Sequence, residues 1–142
     1  MTDAKLLERF EAQSLPQDQW THRTHVRVAF LYLSRHKFED ALARIRAGIQ
    51  ALNAVHGVVE GPTSGYNETT THAYLHLIAA TMRAYRATHP AADSESFCNQ
   101  HPHLLAKEVL RLFYSPARRL DPRAKTQFLA PDLAPLPTIG HE

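Results

Sequence analysis

One run of this chain constrains its fold more than any other. Phe38, Leu42, Ile45, Ile49 and Leu52 recur at intervals of four, three, four and three. That spacing keeps returning to one side of an α-helix, so it predicts an amphipathic helix with one buried face. The helix should end near His56-Gly57, where a glycine can take the left-handed cap position. Gly48 lies inside it, and an interior glycine weakens a helix by about 1 kcal/mol without ending it.

Other segments repeat the helical period between glycine and proline breaks. Leu6, Leu7 and Phe10 mark a short first helix before Pro16. A second helix is expected over residues 19–36, with Asp18 as N-cap and Val26, Ala29, Phe30 and Leu33 on one side. The loop at 57–65 holds Gly57, Gly61, Pro62 and Gly65. Leu75, Ile78, Met82 and Tyr85 form the stripe of a further helix that stops before Pro90. A fifth is expected over 103–114 with Leu105, Val109, Leu112 and Phe113 inward, and a short sixth over 122–129. Residues 131–137 alternate proline with leucine and alanine, which predicts an extended strap. No segment alternates like a strand. The expected fold is all-α: a single domain over 1–142, a bundle of four main helices with short helices added and an extended tail from about residue 130 to 142.

Composition narrows the function classes. A chain of 142 residues with 44% hydrophobic and 21% charged residues is globular in character. It has no apolar run approaching ~18 residues, so no membrane span is expected. Asp3 and Lys5 stand where a secretory leader would need apolar residues. The single cysteine, Cys98, makes no internal disulfide and fits a cytoplasmic setting. A net charge of +2 does not call for nucleic acid. Six basic residues between Lys107 and Lys125 form a mild patch, better suited to an anionic substrate or cofactor near Arg118 and Arg119.

The unusual feature is ten histidines. His22 and His25 follow Trp20 and Thr21, three positions apart and so about 60° apart on a helix. Both imidazoles can reach one point, or each can bond a backbone carbonyl instead. Glu68 and His72, four apart, continue the stripe of Leu75, Ile78 and Met82 backwards. A carboxylate on a buried stripe needs a partner: a metal, a histidinium, or the N-terminus of its own helix. Alternating helix directions would bring both pairs to one end of the bundle. His22, His25 and Glu68 then form an expected two-His, one-carboxylate set for zinc, iron, manganese, copper or nickel. His72 is the candidate fourth ligand or general base, Tyr66 lines the pocket as a phenol donor, and Trp20 shields it.

The set Trp20-Thr21-His22-x-x-His25, then Gly65-Tyr66-x-Glu68-Thr69, Tyr114-Ser115 and Pro131-Asp132-Leu133, resembles a group of small uncharacterised bacterial proteins. The resemblance covers about residues 10–137. The group's usual second motif reads G-Y-H-E-T, and this chain departs from it at Asn67. Where the group's histidine is a ligand, the site here has lost one, and His72 either replaces it or is incidental. The resemblance implies no activity; the residues themselves leave three functions as expectations: a metal-dependent enzyme on a small organic substrate, a module that binds a small ligand without turnover, and an interaction protein whose helical faces form a homodimer.

Overall fold

The computed structural model describes residues 1–139. The last three positions of the expected tail, 140–142, lie outside the described residues. The domain is all-α, as the apolar period predicts. Helix α1 spans Asp3–Glu11, α2 His22–Arg35, α3 Phe38–Val55, α4 Glu68–Tyr85, α5 Ser94–Gln100 and α6 Pro116–Arg119. Short 3-10 turns occupy Gln17–Gln19, Pro102–Leu105, Lys107–Leu112 and Pro122–Lys125. No helix among the described residues is long and apolar enough to cross a membrane.

Helix α3 follows its stripe. Leu42, Ile45, Ile49 and Leu52 are buried, and Phe38 packs at the edge of the core. Gly57, with φ +69°, ends the helix in the left-handed region where glycine carries no Cβ penalty. Gly48 has a packing reason. A Cβ there would lie 2.3 Å from two ring carbons of Phe10 on α1. The missing side chain is the recess into which that ring fits.

Helix α2 starts later than expected. Asp18 sits in the 3-10 turn, and Thr21 is the N-cap, its hydroxyl accepting from Thr24 N at 3.3 Å. Trp20 therefore precedes the helix and is free to turn inward.

The segment 103–114 is not one α-helix. Side chains from other helices claim its carbonyls: His22 Nε2 donates to Leu104 O at 2.9 Å, and the Tyr74 hydroxyl reaches Ala106 O and Lys107 O at 3.1 and 2.6 Å. Ala106 is extended, and two 3-10 turns flank it. Leu104 and Leu110 are buried, whereas Leu112 is 67% exposed. Helix α5, unannounced by any stripe, is held by Arg27 of α2. That guanidinium is buried, donating to Ser94 Oγ at 2.7 Å and pairing with Glu95 at 3.1 Å. Residues 122–129 form a 3-10 turn at Pro122–Lys125 rather than a sixth α-helix.

Residues 131–139 form no helix and lie along the bundle as the expected strap. Leu133 N donates to Phe113 O at 2.9 Å, and Leu136 packs against the core.

Alanine at position 48 should be destabilising although alanine is the better helix former. Propensity gains about 1 kcal/mol. Phe10, 1% exposed and stacked on Trp20, has no room to withdraw. Overpacking of this kind is worth about 1–3 kcal/mol, so Gly48→Ala should lose about 1 kcal/mol net in urea denaturation. The loss should shrink in a Phe10→Leu background. A stabilised Gly48→Ala would contradict this packing.

Candidate functional site

A cavity of about 520 Å³ opens between α2, α3, α4 and the 3-10 turn Lys107–Leu112. Its inner wall is aliphatic, with Val26, Ala29, Ile45, Ile49, Leu75 and Ile78. Its polar groups come from Trp20, His22, His25, Tyr66 and Tyr74, from Asn53, Asn67, Thr70 and Thr71, and from Lys107, Arg111 and Arg119. Residues that the sequence marks as site candidates therefore share it: Trp20, His22, His25, Tyr66 and Arg119.

The two imidazoles are differently placed. His22 Nε2 faces the Leu104 carbonyl, which can only accept, so Nε2 carries the proton and Nδ1 keeps its lone pair. Tyr74 meets the same ring edge-on, with centroids 4.9 Å apart. His25 lies flat on Trp20, with centroids 3.8 Å apart and planes 27° apart. Neither His25 nitrogen has a hydrogen-bond partner among the described residues. Burial lowers the pKa of both rings. For His25 burial, with His22 and Lys107 alongside, pulls it down to about 3. For His22 the Leu104 bond opposes part of the shift. Both rings are neutral near pH 7, and His25 offers the cavity an acceptor and a donor.

Glu68 takes a different partner from the one expected. Arg46 of α3 grips it through two bonds, Nε to Oε1 and Nη2 to Oε2, both 2.7 Å. The Tyr66 hydroxyl donates to Oε1 at 2.7 Å as well. Glu68 is buried and its pKa is lowered, first by the Arg46 bonds, with burial opposing and Tyr66 assisting. Burial and the bond to Glu68 push the Tyr66 phenol well above its ordinary range. The arrangement corrects the expected convergence of Glu68 with His22 and His25: the carboxylate closes an ion pair between α3 and the first residue of α4. Among the described residues no three His, Cys, Asp or Glu side chains gather as metal ligands.

Of the remaining candidates, His72 and Arg118 lie outside the cavity lining. His72 stacks on Phe128, with centroids 3.9 Å apart. Tyr66 lines the cavity with its ring while its hydroxyl serves Glu68. Arg118 donates from Nε to Ala130 O at 2.9 Å and so holds the strap; its neighbour Arg119 lines the cavity. Asn67 is the N-cap of α4, its side-chain oxygen accepting from Thr70 N at 2.9 Å. Arg46 was missed by sequence reasoning. Its one signal is its place beside Ile45, at the edge of the stripe, where a long side chain can reach around the helix.

No protein-family model, no curated protein and no solved structure matches this chain.

The Glu68–Arg46 pair yields a stability prediction. A hydrogen-bonded charge contributes about 1.5–3 kcal/mol, but Arg46 is 39% exposed and can turn to water. Glu68→Gln and Arg46→Met should therefore each lose about 1 kcal/mol, and the double variant far less than the sum. Because the carboxyl pKa is lowered from 4.5, the contribution is present above that pH and fades as pH falls through the lowered value. The losses should be the same with chelator and with added zinc. A Glu68→Gln loss that appears only when metal is present would contradict the ion-pair assignment.

Proposed function

We propose that this protein binds a small organic molecule in the cavity beside His25. The single observation behind the reading is that imidazole: neutral, fixed flat against Trp20, and lacking a described partner for either nitrogen while facing an aliphatic-walled cavity. A cavity of about 520 Å³ falls within the ~300–1,000 Å³ typical of ligand sites, and apolar walls with a few directed polar groups are their usual build. The walls would hold the ligand's body and His25 would orient a polar group on it. The reading requires no turnover.

One observation favours a second use of the same face. Metal-binding histidines commonly donate their other N–H to a backbone carbonyl, which fixes the ring. His22 does this with Leu104 O and keeps Nδ1 available. A divalent ion such as zinc, iron, manganese, copper or nickel would then use His22 and His25, with Glu68 left to Arg46. Binding of an organic ligand remains the better-supported reading, because two nitrogens fall short of the three protein ligands usual at a catalytic metal.

Thermal melting of untagged protein against a panel of small organic acids, amides and alcohols tests the proposal. A ligand at about 100 times its Kd stabilises by about 2.7 kcal/mol, so a clear rise in Tm is expected from at least one of them. The rise should shrink in His25→Gln. It should vanish in Thr70→Trp, where an exposed position at the cavity lining receives a plug without disturbing the core. Rises that survive the plug would place binding elsewhere. For the metal use, a zinc-dependent rise lost in both His22→Gln and His25→Gln but kept in Glu68→Gln would support it. A melt that ignores zinc would remove it.

A further inference from the structure

The charged side chains among the described lining residues are all cationic. Lys107 and Arg111 enter from the 3-10 turn Lys107–Leu112, and Arg119 from the end of α6. No aspartate or glutamate is among the described lining residues. None of these three side chains forms an ion pair with a described residue, whereas the nearby cations Arg118, Arg123 and Lys125 are all engaged, with Ala130 O, Asp121 and Glu60. Lys107 is near enough to both imidazoles to help lower their pKa values. Of the nearby acids, Glu108 acts on His22 and Tyr74, and Glu60 and Glu68 bond the lining residue Tyr66, but none of the three is among the described lining residues.

This placement follows from the backbone. His22 and Tyr74 take the carbonyls of Leu104, Ala106 and Lys107, which breaks the segment into 3-10 turns at the cavity. The first turn of α4, which also lines the cavity, offers an anion little. Asn67 there already occupies Thr70 N, one of the free amides of the first turn of α4.

We propose that the ligand of this cavity is an organic carboxylate: an aliphatic body against Val26, Ile49, Leu75 and Ile78, and a carboxylate held among Lys107, Arg111 and Arg119 within reach of His25. The proposal rests on the binding reading above and names its ligand class. A carboxylate suits the site better than a bare inorganic anion, because the cations share the cavity with an aliphatic wall that a bare anion would leave unused. Burying the chain contributes roughly 0.8 kcal/mol per methylene, and the unpaired cations select the charged head over a neutral one.

The chain contains one tryptophan, Trp20, and it lines the cavity, so its fluorescence reports on occupancy. The experiment titrates the full chain with octanoate, cyclohexanecarboxylate, their two amides and inorganic phosphate, at about 20 mM and about 500 mM salt. The acids should bind at least ten-fold more tightly than the amides at low salt, and the margin should narrow at high salt, where exposed charges are screened. Lys107→Met, Arg111→Met and Arg119→Met should each weaken the acids three-fold or more and leave the amides unchanged; Lys107→Arg should restore the acids. Equal binding of acids and amides would overturn the carboxylate assignment and leave the binding reading standing. So would phosphate binding as tightly as octanoate. No response of Trp20 to any acid or amide would count against both.

Discussion

A stack of three rings connects the helical framework to the cavity. Phe10 of α1 fills the recess at Gly48 of α3, Trp20 lies on Phe10 with centroids 5.3 Å apart, and His25 of α2 lies on Trp20 at 3.8 Å. Tyr32 closes on the edge of Phe10 from α2, at 6.1 Å. Each ring is placed by the one before it, so the orientation of His25 depends on the absence of a side chain at position 48. Aromatic pairs of this kind contribute about 0.5–1.5 kcal/mol beyond their buried area. Their greater effect here is positional: His25 is held by a face, which leaves its ring edge and both nitrogens for the cavity.

The residues of the tryptophan–histidine and glycine–tyrosine motifs, with Tyr114, Ser115 and Asp132, divide between two tasks. Trp20, His22, His25 and Tyr66 line the cavity. Thr69, Tyr114, Ser115 and Asp132 fasten the strap. Thr69 Oγ1 donates to Gln127 O at 2.9 Å and accepts from Leu129 N at 3.1 Å, and Tyr114 donates to Leu129 O at 2.8 Å. Ser115 meets Asp132 through its amide and hydroxyl, at 2.8 and 2.6 Å. Glu68 joins the tasks. Its carboxylate binds Tyr66 on the cavity side, and the next residue, Thr69, ties down the segment before the strap. Gly65, with φ +86°, is needed at the approach to this turn, because a Cβ there would collide with the Glu60 carboxylate that accepts from Tyr66 N.

What was legible in the sequence was whatever a single helix decides. The stripe of α3, its glycine cap, the core face of α1 and the extended strap all follow from period, caps and prolines. The segment 103–114 was misread because its carbonyls are claimed by His22 and Tyr74, residues about thirty to eighty positions away, and no local pattern records that competition. Helix α5 has only Phe97 and Cys98 as buried apolar residues, and Arg27 and Asp3, both far away in sequence, hold its buried Ser94. In the site, the sequence showed that Glu68 needed a partner. It could not choose Arg46 over a metal, because a residue at the edge of a stripe reveals its reach only in three dimensions. The pairing of His22 with His25 was readable because three-residue spacing on one helix makes neighbours.

The central claim is that His25 presents a neutral imidazole, held by Trp20, to the cavity. Proton NMR of the histidine ring signals between pH 7.5 and 4.5, with His25 assigned by comparison with His25→Gln, measures this directly. The His25 Cε1–H signal should stay near its neutral position over the whole range, because burial holds its pKa at about 3. An ordinary titration with a midpoint near 6.5 would show a water-exposed imidazole and contradict the account.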